Sequence, residues 1–426
     1  MILKKLYIHN YKSFYDTTIE LGKFNIIIGE NNSGKSNIID VLEFIDIAMS
    51  KDIERAISDK GGYDNLKNYT TDEEKIIIRA TFDKSHIKDT FFPNKHIYAI
   101  VHGEGEYTLS FSFTKKNIFF SIYVDMNFRI IKDRGTDNEL IERVFKFENN
   151  EHIKKLKSNS VKFIISNKRT FNSNNKTSKL YIYKTINREF IEENLSEIFH
   201  FIDIFKGENL SIRTNMPKYI YTYYFNIETI KDNSHKDSIV ELKKDGGNLG
   251  KSIFKIKKKY PNLFEAISNS MICTVNEIDA IYIEEVFGNY LIGFKERNHN
   301  IGVDIVSDGT INLLAIITSL NQDENKAVLL AFDEPERHLH LKAVNYLLDS
   351  FRESKKQIII TTHSTEILKN ANLEEIIFIY RDRDGDTQSL KATDIPNLEG
   401  KMEKLGYDRP LSLDELIADN IIGDFR

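Results

Sequence analysis

The chain has 426 residues, 41% hydrophobic and 29% charged, which is enough for one large or two to three ordinary domains with ample core. Its formal net charge of −5 supplies no global electrostatic case for nucleic acid, so any such claim rests on local patches. Cys273 is the only cysteine, which excludes an intrachain disulfide and a cysteine-based zinc site, and the longest apolar runs (328–332, 358–360) are too short for a bilayer.

In chain order, residues 1–8 lack the apolar core of a signal peptide and read as a first strand, and with the single cysteine they point to a cytoplasmic protein with no membrane partner. The run Phe24–Ile28 reads as a buried strand, followed by a glycine-punctuated turn and a segment from Asn37 at helical period. Strand patterns follow at 75–82, 96–101, 107–113 and 118–124. Residues 136–224 are rich in Lys and Asn with mixed signals, and 172–176 reads as an exposed loop. The aromatic run 219–225 fits a buried strand better than a base-stacking platform. Helical patterns dominate 226–270, with Pro261 at a helix start. After Val306 the pattern becomes helix, buried strand, helix, strand, helix. No repeat of 20–50 residues and no sustained heptad is present.

Gly29-Glu-Asn-Asn-Ser-Gly34-Lys35-Ser36 matches G-x-x-x-x-G-K-[ST] without a mismatch and sits between strand and helix, as a phosphate-binding loop must. Backbone N–H groups can wrap closely around phosphate oxygens only where side chains do not intrude, hence the glycines. Lys35 would reach the β- and γ-phosphates and Ser36 would bind Mg²⁺, with the helix N-terminus adding positive potential. The candidate contacts for ATP here are Gly29, Asn31, Asn32, Ser33, Gly34, Lys35, Ser36 and Asn37.

Residues 327–335 form an apolar strand ending in Asp333 and Glu334. Asp333 is assigned to Mg²⁺ and Glu334 to the attacking water, a positioned-base role worth about 10²–10⁴-fold; an acidic helix cap is the plainer alternative. Ser307-Asp-Gly-Thr310 opens a second helix, where Ser307 and Gly309 could meet a γ-phosphate or simply cap. His363 ends the strand 358–362, where a parallel order would set it beside Asp333; a structural histidine is the plainer reading.

These four pieces, in this order, resemble the Walker A, signature, Walker B and switch-histidine set of ABC-type ATPases. More narrowly, the chain is similar to RecF/SMC-type heads and to the ATPase part of OLD-like and RecF-like proteins, AAA-type ATP-binding proteins of bacterial antiviral defence and DNA repair. Residues 8–14, 245–249, 307–310 and 333–340 carry that resemblance. It implies an α/β P-loop NTPase fold, an ABC/RecF-like head with a mixed β-sheet lobe and an inserted α/β plus helical signature lobe. It also implies a homodimer in which Ser307 and Gly309 of one head reach the phosphate held by Lys35 of the other, and a separate effector acting on nucleic acid. The expected division is 1–135 and 301–400 for the ATPase lobe, 136–300 for the insertion and 401–426 for a tail.

Two departures stand out. The family's glutamine after the first helix has no counterpart, since no Gln precedes Gln322, and His340 stands where transporters have aspartate. The second departure, with the insertion, argues against a transporter subunit; the first favours an ATP-binding scaffold with little turnover as an alternative. Gly250-Lys251-Ser252 is a decoy, with no strand leading in, and 382–386 reads as a hairpin turn rather than a calcium loop. Only 63 residues follow His363, so no nuclease domain is expected after it. The lysine clusters near 154–169 and 255–259 read as solvated faces.

Overall fold

The computed structural model describes residues 2–83, 100–115, 117–132, 141–146, 162–172, 175–185, 220–232, 241–322 and 329–395. The chain divides into two units, Met1–Leu21 with Ile47–Pro217 and Gly22–Asp46 with Lys218–Arg426. Its first elements are β1 (Ile2–Tyr11), β2 (Phe14–Glu20), β3 (Phe24–Ile28), α1 (Lys35–Ser50), α2 (Ile53–Asp59) and α3 (Tyr63–Leu66).

The first unit continues with β4 (Ile76–Asp83), β5 (Ile100–Phe113), β6 (Asn117–Lys132), β7 (Ile141–Lys146), β8 (Lys162–Asn172) and β9 (Asn175–Thr185). With β1 and β2 they form an eight-stranded sheet in the order β2-β1-β4-β5-β6-β8-β9, with β7 also on β6. Alternate residues of β4 (Ile76, Ile78, Ala80, Phe82) are buried while Arg79 is exposed, the period-2 signature of a sheet with one face covered. The strand pattern at 107–113 and the last two residues of that at 96–101 belong to β5, which pairs with β6 from Ile100↔Ile131 to Phe113↔Ile118 without a break, while 96–99 lie outside the described residues. Within the expected loop at 172–176, Asn172 pairs with Asn175, and residues 173 and 174 lie outside the described residues.

The second unit adds β10 (Ile220–Tyr223), α4 (Ile227–Lys231), α5 (Leu249–Lys259), α6 (Pro261–Thr274), β11 (Ala280–Val286), β12 (Asn289–Glu296) and β13 (His299–Gly302). It continues with α7 (Asp308–Leu320), β14 (Leu329–Asp333), α8 (Leu341–Glu353), β15 (Gln357–Thr362), α9 (Thr365–Lys369), β16 (Ile376–Arg381) and β17 (Thr387–Lys391). Six strands run in the order β10-β14-β15-β3-β16-β17, all parallel except β17. β3 and β15 are buried at every position, as parallel strands covered on both faces must be. α7 is buried from Gly309 through Ser319 and forms the spine of this core, with Phe24, Phe332 and Leu347 in the same cluster. The fold is mixed α/β, as expected. The antiparallel sheet β11-β12-β13 lies in a stretch where the sequence showed no strand pattern.

Gly250-Lys251-Ser252 lies within α5, and residues 382–386 form the β16–β17 turn, in line with both decoy readings. The lysines at 154–157 and the segment 401–426 lie outside the described residues.

Candidate nucleotide site

The parallel register aligns the C-terminal ends of three neighbouring strands: Thr361 of β15 pairs with Asp333 of β14, and Thr362 pairs with Ile28 of β3. The crevice beyond such strand ends is where open α/β sheets place ligands. Each strand delivers one part of the candidate site there: the Gly29–Ser36 loop after β3, Asp333 and Glu334 at the end of β14, and His363 after β15.

Within the loop, Asn32 has φ +65° and Gly34 has φ +113°, backbone conformations that curl the chain. Asn37 N–H closes the turn onto the Gly34 carbonyl at 3.0 Å, the first step of α1. Asn31, Asn32 and Ser36 are exposed, whereas Ser33 and Lys35 are buried at 2% and 6% exposure. Lys35 Nζ donates to the carbonyls of Gly29 (2.8 Å) and Glu30 (2.7 Å). Burial pulls its pKa down to about 8, opposed by the fields of Glu334, Asp333 and Glu30. Those opposing fields mark Lys35 and the two strand-end carboxylates as one electrostatic cluster.

Consecutive strand residues face opposite ways, yet Asp333 and Glu334 both act on Lys35. Glu334 has φ +47°, which breaks the alternation where the strand ends. Its N–H donates to the Thr361 carbonyl at 3.0 Å, fixing the turn. Asp333 Oδ1 accepts from the Thr361 hydroxyl. Glu334 Oε2 accepts from Arg337 Nε, and Glu334 Oε1 lies 3.7 Å from His363 Nε2. Burial, then Lys35, holds His363 below its ordinary pKa, so the imidazole is neutral at pH 7.

Ser307 is the N-cap of α7, its Oγ accepting from Thr310 N–H at 3.2 Å. It is exposed, and the fold brings this helix start to the loop after Glu334. A Cβ on Gly309 would stand 2.1 Å from the His338 carbonyl oxygen, so only glycine fits. Asn312 of α7, buried, donates to the carbonyls of Pro335 (2.9 Å) and Arg337 (2.8 Å). The sequence assigns no site role to Asn312 or Thr361, since nothing local marks a side chain that acts on a distant loop, and none to Glu336 or Arg337 within the 333–340 string. Glu336 Oε1 accepts from Thr362 Oγ1 at 2.5 Å, and burial raises its pKa. Gln322, at the end of α7, is tied to Leu242 N–H (3.3 Å) and is not in the cluster.

Among the described residues no group of three His, Cys, Asp or Glu could hold a metal ion. The donors at hand are Ser36 and Asp333, hard oxygens that suit Mg²⁺ sharing its shell with phosphate and water. No helix among the described residues is long and apolar enough to cross a membrane.

A parallel sheet with a glycine-rich loop between its central strand and a helix, and carboxylates at a neighbouring strand end, is the arrangement of a P-loop nucleotide-binding fold. A family model described as AAA ATPase domain matches residues 1–368, and the chain belongs to that family. ATP binding follows from that membership. Similar solved structures include an SMC head bound to the C-terminal winged-helix domain of ScpA (18% identity, 92% of this chain and 98% of that one, TM-score 0.49). Others are the SMC head domain from Thermotoga maritima (14%, 92% and 99%, 0.38) and an SMC head with an extended coiled coil bound to the C-terminal domain of ScpA, from Pyrococcus furiosus (17%, 100% and 99%, 0.43). No curated protein matches the chain.

Proposed function

We propose that the chain hydrolyses ATP, with Lys35 on the β- and γ-phosphates, Ser36 and Asp333 on Mg²⁺, Glu334 taking the proton of the attacking water and His363 touching the γ-phosphate. The observation that carries this reading is the electrostatic cluster of Lys35, Asp333, Glu334 and His363 beyond three aligned strand ends. Bound Mg²⁺ would neutralise charge on the phosphates. Lys35 would exchange the Gly29 and Glu30 carbonyls for phosphate oxygens. Neutral His363 can donate a hydrogen bond to phosphate or accept one from water, while Glu334 keeps one oxygen on Arg337 and turns the other toward His363. The backbone of Glu334 is held by Thr361, which fixes the base relative to the loop.

The same reading makes the active form a homodimer. Ser307 is exposed and Ile305, two residues before it, is 75% exposed, apolar surface that a second copy would cover. ATP would then be enclosed between Lys35 of one copy and Ser307 and Gly309 of the other. Its closing would regulate or recruit a separate effector acting on nucleic acid, in antiviral defence or genome maintenance; this rests on family resemblance. A scaffold with little turnover is the second reading, favoured by the missing glutamine after α1.

Steady-state ATP turnover of purified protein, with and without DNA, separates the two. Light scattering with and without ATP tests the dimer. A monomer at all ATP concentrations, in wild type and in Glu334→Gln alike, would remove the composite site.

A further inference from the structure

The hairpin β16–β17 has no part in the chemistry described above, yet it lies directly behind the phosphate loop. A Cβ on Gly29 would stand 2.0 Å from the Ile379 carbonyl oxygen, so β16 passes in backbone contact with the loop's first residue. Thr387 Oγ1, at the start of β17 and with no exposed surface, donates to the Ser33 carbonyl at 2.8 Å. Arg381 Nε, at the end of β16, donates to the Asn32 carbonyl at 3.1 Å, and its Nη1 donates to Gly385 O at 2.6 Å. The turn carrying Gly385 is itself braced, Asp382 Oδ1 accepting from the N–H groups of Asp384 (3.1 Å) and Asp386 (2.9 Å).

Peptide planarity turns these contacts into a statement about the ligand side of the loop. In a trans peptide the C=O and the following N–H point in opposite directions. A Ser33 carbonyl held on Thr387 therefore aims the Gly34 N–H away from the hairpin. An Asn32 carbonyl held on Arg381 likewise sets the Ser33 N–H, which closes onto Glu30 O at 3.2 Å and shapes the curl. Without the Thr387 anchor the Ser33–Gly34 peptide plane turns more freely, because glycine at 34 imposes little preference of its own. Ser33 Oγ, buried, makes no hydrogen bond among the described residues, so its side chain does not supply the missing restraint.

We propose that Thr387 and Arg381 are positioning residues of the nucleotide site: Thr387 orients the loop's Gly34 N–H toward the phosphate bound by every nucleotide the loop holds, and Arg381 holds the curl that presents it. The inference rests on the reading of Gly29–Ser36 as the phosphate site. Two consequences follow. The contribution falls on ATP and ADP alike, because both present a β-phosphate to the loop. It also falls on affinity more than on turnover at saturation, because neither residue touches the reacting atoms.

Calorimetric titration of Mg·ATP and Mg·ADP into full-length wild type, Thr387→Val, Thr387→Ser, Arg381→Ala and Lys35→Ala tests it, alongside each variant's melting temperature without nucleotide. Thr387→Val keeps the shape and removes the donor; it is expected to raise both dissociation constants about tenfold. Thr387→Ser is expected to return to within about twofold of wild type, and saturated turnover of Thr387→Val to stay within about twofold. Arg381→Ala is expected to weaken both nucleotides about fivefold, and it decides the matter if Thr387→Val does not fold. Wild-type affinity in Thr387→Val, or in Arg381→Ala where Thr387→Val is not obtained, overturns the proposal. So does equal weakening by Ser and Val at position 387. Wild-type affinity in Lys35→Ala instead removes the phosphate site itself and the proposal with it, whereas loss in Lys35→Ala with none in the hairpin variants sinks the positioning role alone.

Discussion

Glu334 Oε1 and His363 Nε2 stand 3.7 Å apart, brought face to face by the parallel pairing of β14 with β15. Arg337 Nε occupies the other oxygen of Glu334, so one oxygen of this carboxylate is engaged while the other faces the imidazole.

Glu334→Gln preserves the shape of this arrangement and removes the proton acceptor. The expected result is a fall of about 10²–10⁴-fold in kcat with ATP affinity within a few-fold of wild type. Turnover near the wild-type rate would end the assignment of Glu334 as base. Arg337→Ala is a contrasting control: Arg337 is 67% exposed, and an exposed ion pair is worth at most about 1 kcal/mol, so kcat should change by no more than about fivefold.

Lys35 makes nucleotide binding sensitive to alkali. Its pKa of about 8 lies below the ordinary 10.5 because burial disfavours the cation. Phosphate oxygens favour the cation, so the bound state keeps its proton to higher pH than the free state. Binding therefore takes up a proton above pH 8 and none well below it, and affinity falls as pH rises past 8, by a factor approaching about ten per pH unit. Calorimetry at pH 9 in buffers of different ionisation enthalpy reads the uptake directly. Equal affinity at pH 7 and pH 9 with no proton uptake would end this assignment.

Glu336 works in the opposite sense on stability. Its pKa is raised from 4.5, chiefly by burial, so the folded state binds this proton more tightly than the unfolded chain. Stability is then lost as pH climbs above 4.5 through the folded pKa. Glu336→Gln keeps an oxygen for the Thr362 hydroxyl and carries no charge. It should be more stable than wild type at pH 7, with the gain shrinking toward pH 4, as followed by urea unfolding across that range.

Asn312 and Gly309 tie α7 to the loop after Glu334. Asn312→Ala leaves two loop carbonyls without their donor and is expected to cost about 1–3 kcal/mol. Gly309→Ala places a methyl against the His338 carbonyl and should cost about the same through displacement of that loop. Thermal unfolding measures both, and both should lower kcat more than they weaken ATP binding, because the loop they displace carries Glu334.

Much of the ATPase core was legible because its signals are local. The apolar strand Phe24–Ile28, the glycine spacing of 29–34 and the helix from Lys35 lie within a single stretch, and Ser307, Asp333 and His363 each sit where a hydrophobic period stops. The sheet β11-β12-β13 was not legible, since its strands are short and only part of each is buried. The continuity of β5 was hidden too, because Gly103 and Gly105 interrupt the pattern that the backbone pairing with β6 carries through.

From its sequence alone this protein was bound to place a phosphate loop between a buried strand and a helix, and to end later strands in carboxylate and histidine, for those features follow from periodicity and backbone sterics over a few residues. The tertiary structure decided which of those ends meet. Only the parallel register of β3, β15 and β14 sets Lys35 beside Asp333 and Glu334, and only folding brings Thr387 to Ser33 across 354 positions of chain. Contacts of that span depend on how whole strands pair and pack, which no short window of sequence encodes.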